Sequence, residues 1–351
     1  MMKTKRKRYL FFIRSDFQYF VCRGIISQEK LNKEDCYFIV ERGVCLLKGD
    51  QLFPYYSGQS FPSFKQRVVS LFRNRKGYHE FFKSCRVTLY APFSDLFPKH
   101  IFSDVFFFEE GFSSFAKIQD KPCEKGRRLS EDLRYWALRL LLPFENNGVR
   151  SLLLGIGASN EKPCYPMNLY ITDGLAYQGV DYSLVKKVQV KIKIETRKLY
   201  SIPEGGFLFV LDRFSSFGRP YALSNYHNCV QQVFSSVVPE SERQIWVKFH
   251  PADYGYADAL VIMKQMFRFY KGKVNIFDGK LEYLAAQNIG IHFIGTNSTI
   301  LYYAPILGDS NESISYSKQL ADIDEDYNQF LQQWGGAGSF VEIFSRHVKC
   351  L

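Results

Sequence analysis

The feature that most constrains this chain is a series of short, unbroken apolar runs. Turn residues close each run, and segments long enough for a helix separate them. Residues 9–13 form the first run, and 105–108 (Val, Phe, Phe, Phe) is a dense one. Residues 151–154 and 169–171 are weaker, while 207–211, 245–249, 274–277 and 289–294 form a cleaner series in the second half. Segments 222–238 and 256–270 lie between these runs and have helical length. A strand with one wet face alternates polar and apolar side chains. Continuous apolar strands interleaved with helices therefore point to parallel sheets covered on both faces. Residues 188–194 are the exception: Gln189, Lys191 and Lys193 interrupt the apolar positions, as in a half-exposed strand.

A chain of 351 residues is too long for one ordinary core. Segment 195–206, with Pro203, Gly205 and Gly206, makes a sensible linker. The expectation is an α/β protein of two doubly wound, Rossmann-like domains facing a cleft. Residues 1–200 form the N-terminal domain and 201–334 the C-terminal domain. In 335–351, a glycine-rich break at Gly335, Gly336 and Gly338 precedes a final helix with Phe340, Val341, Phe344 and Val348 on one face, packed near the interdomain region.

Composition narrows the partners. The formal charge is +11, which favours polyanions: nucleic acid, anionic headgroups, or acidic sugars and nucleotides. The aromatics cluster in apolar runs such as Phe106, Phe107 and Phe108, which places them in cores. No recognition helix or aromatic-basic motif speaks for nucleic acid. The eight cysteines show no C-x-x-C spacing and no Cys/His cluster, the pattern of reduced, buried thiols in a cytoplasmic protein. The apolar stretch 9–13 is too short for a signal peptide, and no run of about 18 apolar residues offers a membrane span. The basic residues among 3–8 suit peripheral contact with an anionic inner-membrane face.

In open α/β sheets, ligands bind beyond the carboxyl ends of the strands, so polar residues at those ends matter most. Glu109, Glu110 and Gly111 follow the run 105–108. Neighbouring residues of an extended chain point in opposite directions, so at most one of the two carboxylates faces inward. Partial desolvation beside a like charge raises a carboxyl pKa and makes a better base for a sugar hydroxyl; the bland alternative is a charged strand end in solvent. His250 and Pro251 follow 245–249, with Lys248 two residues back. That imidazole suits a phosphate, or else a backbone hydrogen bond. Gly295, Thr296, Asn297, Ser298 and Thr299 follow 289–294 and precede an apparent helix. Such a turn caps the helix and also aims N–H groups at an anion.

In these motifs the sequence resembles bacterial sialyltransferases that use CMP-activated sialic acid, of the lipooligosaccharide and capsular polysialyltransferase types. The likeness rests on Glu109-Glu110-Gly111, His250-Pro251 and Ser298-Thr299, in order, with Ser15 and Gln18 after the first strand as a fourth element. It spans about residues 9–305. The resemblance implies the glycosyltransferase B architecture, with 1–200 the acceptor-side and 201–334 the nucleotide-sugar-binding domain, and an inverting transfer without metal or other cofactor. Glu109 would be the base (Glu110 the alternative) and His250 would meet the departing CMP phosphate. Ser298 and Thr299, with Asn297 and Gly295, would bind that phosphate, and Glu282, Ser15 and Gln18 would be further donor-binding candidates. The partners would be a CMP-activated donor and an oligosaccharide or glycolipid acceptor in capsule or lipooligosaccharide synthesis. The family's cytidine contacts have no clear counterpart here.

Other readings keep part of this picture. Another CMP-activated acid sugar, such as Kdo or a different nonulosonate, would use the same fold. A UDP- or GDP-sugar transferase would call on Arg213 and Arg219. A basic nucleic-acid-binding protein is more distant. Asp322, Asp324 and Asp326 contain a D-x-D pattern, but residues 315–321 before it read as polar and turn-like. A solvated acidic helix start is expected there, not a metal site.

Overall fold

The computed structural model describes residues 6–41, 44–53, 69, 72–92, 105–109, 111, 167–173, 185–192, 194, 200, 202–215, 219–253 and 255–351. The chain divides into two compact units, Met1–Lys193 and Ile194–Leu351. The division falls a few residues before the expected 200. Residues 335–351 belong to the second unit. The expected strand at 151–154 lies outside the described residues.

The first unit is built on a sheet of β1 (Arg6–Ile13), β2 (Cys36–Val40), β3 (Gln51–Leu52), β4 (Cys85–Pro92), β5 (Val105–Phe108), β6 (Met167–Ile171) and β7 (Val185–Gln189), in the order β3-β2-β1-β4-β5-β6-β7. Every ladder is parallel. Register sets a row of rings across one face. Phe11 is opposite Phe38 and Tyr90, and Tyr90 is opposite Phe106. The centroids of Phe11 and Tyr90 are 4.5 Å apart, those of Phe11 and Phe38 5.4 Å, and those of Tyr90 and Phe106 5.2 Å. Directly opposed side chains on one face are the closest neighbours in a sheet, so this row links four strands through aromatic contact. Helix α1 (Asp16–Gln28) covers the sheet with Phe17, Phe20, Val21 and Ile25, all buried. Helix α2 (Arg75–Ser84) packs Tyr78, Phe81 and Phe82 around Phe53.

The basic lead into β1 is only partly available to a membrane. Arg6 pairs with Asp35, and the Arg8 guanidinium lies 4.7 Å over the Phe81 ring. Residues 3–5 lie outside the described residues. No helix among the described residues is long and apolar enough to cross a membrane.

The second unit holds β8 (Phe207–Val210), β9 (Gln244–Lys248), β10 (Lys273–Ile276), β11 (His292–Gly295), β12 (Glu312–Ser315) and β13 (Lys349–Cys350), in the order β10-β9-β8-β11-β12-β13. All ladders here are parallel too. Both sheets are thus doubly wound, as expected. The winding direction reverses between β1 and β4 in the first and between β8 and β11 in the second. Five helices follow strand ends or join them: α3 (Leu223–Val237), α4 (Ala259–Met266), α5 (Leu281–Ala285), α6 (Thr299–Leu307) and α7 (Ser317–Ile323). Helix α3 buries Tyr226, Val230, Val233 and Phe234 at i, i+4, i+7 and i+8, which is one helical face. The Phe234 and Phe209 rings stack 5.7 Å apart.

The glycine break is where the sequence puts it. Gly335 and Gly336 take φ of 91° and 94°, a region glycine enters without strain, and separate a 3-10 turn from α9 (Ala337–Phe344). The last helix stops at Phe344, short of Val348. The chain then turns into β13, the edge of the sheet. Residues 188–194 are likewise not one strand: pairing ends at Gln189, and Val190 turns inward.

The acidic stretch begins a helix, α8 (Glu325–Phe330), but Asp324 is buried rather than solvated. Its carboxylate accepts N–H from Tyr327 at 3.0 Å, from Ala222 at 2.7 Å and from the Asn225 amide at 3.0 Å. The preceding residues are β12 and α7, not a turn. Asp324→Ala would remove an N-cap and leave the Ala222 N–H without this acceptor. It is expected to lower unfolding free energy by about 2–3 kcal/mol. Asp322→Ala, at an exposed position, should change it by less than about 0.5 kcal/mol. Urea denaturation of both variants checks the contrast.

Candidate functional site

Strand direction decides what can gather. In the second unit β8, β9, β10 and β11 are parallel and adjacent, so the residues that follow them emerge along one edge. Asp212 and Arg213 follow β8, His250 follows β9, and Thr296 to Thr299 follow β11. Glu282 lies in the first turn of α5, beyond β10. His250, Gly295, Asn297, Ser298 and Thr299 are therefore brought to one edge, with Glu282 at its far side.

The crevice between β8 and β11 is the point where strand order reverses, the preferred ligand position in such sheets. Asp212 and Thr296 meet across it. The Thr296 hydroxyl donates to the Asp212 carboxylate. The Asp212 N–H donates to the Tyr226 hydroxyl at 3.0 Å, and Tyr226 and Tyr316 are joined through their hydroxyls at 2.9 Å. Burial pushes the Asp212 carboxyl up to about 6, with the Thr296 hydrogen bond opposing the shift. Asp212 follows an apolar run but stands alone rather than in a motif, so no sequence pattern marks it.

Gly295 has a steric reason to be glycine. A Cβ there would lie 2.8 Å from the Val210 carbonyl oxygen and 3.2 Å from Leu301. The turn after it is held from the other side, where the Ser315 hydroxyl donates to the Thr296 carbonyl at 2.6 Å. Ser298 occupies the N-cap position of α6, but its side chain makes no capping hydrogen bond. Its hydroxyl is thus not committed to the ordinary task of a serine at this position.

His250 leads into a 3-10 turn, Pro251–Asp253. Asp253 is buried, and its carboxylate accepts N–H from Phe214 at 2.7 Å and from Ser215 at 3.2 Å. This bond pair laces the loop after β8 to the turn after β9. His250 keeps an exposed edge, but crowding around its ring pushes its pKa below the ordinary histidine value. Asp253 pulls it up and Arg213 pushes it further down. The Lys248 ammonium donates to the Gly279 carbonyl at 2.8 Å and lies 5.6 Å from the Phe277 ring centroid.

In the first unit Glu109 stands at the end of β5 with none of its surface exposed. The Thr172 hydroxyl, beyond β6, donates to its carboxylate, and its N–H donates to the Tyr170 carbonyl at 3.0 Å. Glu109 is held within the fold's interior; Glu110 lies outside the described residues. Gly111, at φ 140°, turns the chain directly after them. Ser15 and Gln18 cap α1. Ser15 Oγ accepts from the Gln18 N–H at 3.2 Å, and Gln18 Oε1 accepts from the Arg14 N–H at 2.7 Å. This is a variant of the reciprocal capping arrangement. Among the described residues, no group of three His, Cys, Asp or Glu side chains could hold a metal ion.

No protein-family model and no curated protein sequence matches the chain. Among solved structures it is similar to a 2,6-sialyltransferase from Photobacterium sp. JT-ISH-224, with CMP and lactose (TM-score 0.46, 12% identity, 98% of this chain and 78% of that one). It is also similar to the GT-B domain of a Photobacterium damselae sialyltransferase (TM-score 0.42, 12% identity, 98% and 99%). A third likeness is to a UDP-GlcNAc 2-epimerase from Methanocaldococcus jannaschii (TM-score 0.44, 14% identity, 93% and 86%).

The Asp212 environment gives a pH signature. Folded, the carboxyl keeps its proton up to about pH 6, whereas in the unfolded chain it releases it near about 3.9. The folded state thus binds more protons across that window, and stability falls as pH rises through it. Asp212→Asn keeps an acceptor for Thr296 without the charge. It is expected to match the parent near pH 4 and to exceed it by about 2 kcal/mol at pH 7, as read by urea denaturation at several pH values.

Proposed function

We propose that this protein transfers a sialic-acid-type sugar from a CMP-activated donor to a hydroxyl of a cell-surface glycan. The observation that carries this reading is the edge of the second sheet. His250, the Ser298 hydroxyl, which makes no capping bond, and the opening of helix α6 at Thr299 stand at the ends of β9 and β11, the two strands that flank β8, on and beside the crevice where winding reverses. A nucleotide phosphate fits such a place. The first N–H groups of a helix have no intrahelical partners, and Ser298 and Thr299 add hydroxyl donors.

In this reading the imidazole of His250 is largely neutral before the donor arrives. A phosphate beside it favours the protonated form, so His250 donates a hydrogen bond, and finally a proton, to the departing CMP. Glu109 takes the proton of the acceptor hydroxyl. Its enclosure and its bond from Thr172 give the carboxylate one fixed orientation. Attack by that hydroxyl on the anomeric carbon, opposite the leaving phosphate, inverts the centre. Neither step draws on a metal. Contact with an anionic membrane surface, where a glycolipid acceptor would be presented, belongs to the same proposal.

Thermal unfolding with CMP, UDP and GDP, each with and without EDTA, tests the donor. Ligand at about a hundred times its dissociation constant adds roughly 2.7 kcal/mol, a shift of several degrees. CMP alone is expected to stabilise the protein, equally with EDTA; stabilisation by UDP or GDP instead would exclude the CMP-sugar assignment. Glu109→Gln should lower kcat by about 10²–10⁴-fold and leave CMP affinity unchanged. CMP affinity should rise more steeply on acidification from pH 8 to 6 in the parent than in His250→Gln, because only the parent gains the imidazole proton on binding. Calorimetry of the two proteins side by side removes the titration of CMP itself from the comparison.

A further inference from the structure

We propose that Arg213 is a donor-binding residue, supplying the permanent positive charge opposite the nucleotide phosphate, and that Asp253 holds its loop in place. This rests on the reading that the second unit binds a nucleotide-sugar.

The backbone on both sides of Arg213 is fixed. Upstream, the Leu211 N–H continues the ladder to the Lys248 carbonyl at 2.9 Å. Downstream, Phe214 and Ser215 give their N–H groups to the buried Asp253 carboxylate. The Arg213 carbonyl accepts the Tyr221 hydroxyl at 2.8 Å, and its Nε donates to Ser215 Oγ at 2.6 Å, which orients the guanidinium. The loop and the turn that carries His250 are therefore one assembly. Arg213 and Asp253, which that assembly carries on either side of His250, act on the imidazole in opposite senses, Asp253 raising its pKa and Arg213 lowering it.

The second arginine of the loop has a different task. Arg219 donates from Nε to the Tyr221 carbonyl at 3.1 Å and from Nη1 to the Phe214 carbonyl at 2.9 Å, and lies 6.0 Å from the Tyr221 ring centroid. It shapes the loop. Arg213 stands nearer the strand end, one residue past the crevice. A histidine held mostly neutral cannot alone balance a phosphate near neutral pH. A guanidinium stays charged at every working pH and matches phosphate geometry.

The test is calorimetric affinity for CMP and for cytidine, which lacks the phosphate, in the parent, Arg213→Gln, Arg213→Lys and Arg219→Gln. Arg213→Gln is expected to weaken CMP by about 10–100-fold and leave cytidine unchanged, with Arg213→Lys recovering part of the loss. Arg219→Gln should lower the melting temperature and keep the CMP-to-cytidine ratio. In the ligand-free protein, the NMR titration midpoint of His250 should rise in Arg213→Gln, a change that a purely loop-forming arginine would not produce. Equal losses for CMP and cytidine, no loss at all, or an unmoved midpoint would overturn the assignment while the function stands. A parent that binds no nucleotide would overturn both.

Discussion

A parallel strand covered on both faces has room for polar side chains only where it ends. In this protein that constraint acts on the central strands of both sheets and sorts the chain chemically. The strand bodies carry Leu, Ile, Val and Phe, and the groups that can do chemistry collect at the carboxyl edges. Glu109, Asp212 and His250 all stand where they do because a buried ladder has just stopped. Burial also sets their properties. The same desolvation that pushes the Asp212 carboxyl up pushes the His250 imidazole down. One solvent-excluding architecture thus brings an acid and a base towards neutrality from opposite sides.

Three acids, Asp253 and Asp324 buried and Asp212 half-buried, show how the loops at those edges are kept in shape. Asp253 gathers two backbone N–H groups, Asp324 two backbone N–H groups and an amide, and Asp212 a threonine hydroxyl. Each joins segments far apart in sequence. A carboxylate satisfied in this way orders irregular backbone that has no ladder of its own. Around Asp212 the tyrosines 226 and 316 extend the network into the core, where their pKa values are driven far up by burial. The turn carrying Ser298 is thereby backed by hydrogen-bonded groups rather than by loose packing.

The sequence made some of this legible and concealed the rest. Apolar runs marked β1, β5, β6, β8, β9, β10 and β11 to within a few residues, because a strand buried on both faces is dense in apolar side chains. The same logic applied to Cys36–Val40 and Cys85–Pro92, which went unread among their polar neighbours. β12 was hidden for a better reason. Its sequence, Glu-Ser-Ile-Ser, has one large apolar residue, and Ser315 is buried through a hydrogen bond to the Thr296 carbonyl, which no hydrophobic pattern records. Motif spacing singled out His250 and the turn at 295–299, which the structure brings to one edge of the second sheet. It missed Asp212, Asp253 and Thr172, whose importance comes from contacts made across the sheet. It also assigned Ser15 and Gln18 to a ligand without foreseeing that they cap α1.

The order of strands has a kinetic consequence. Residue 207 pairs with residue 292, and β9 and β10 are completed in the chain between them. The β8–β11 crevice closes only after a loop of more than eighty residues has been brought round, and that ordering entropy precedes any reward from the contact. Non-local parallel pairing of this kind is slow. The central seam, not the rim, is therefore the last part of the sheet that local contacts can help to assemble. A refolding chain would acquire its helices and its β8–β9–β10 half well before the crevice exists.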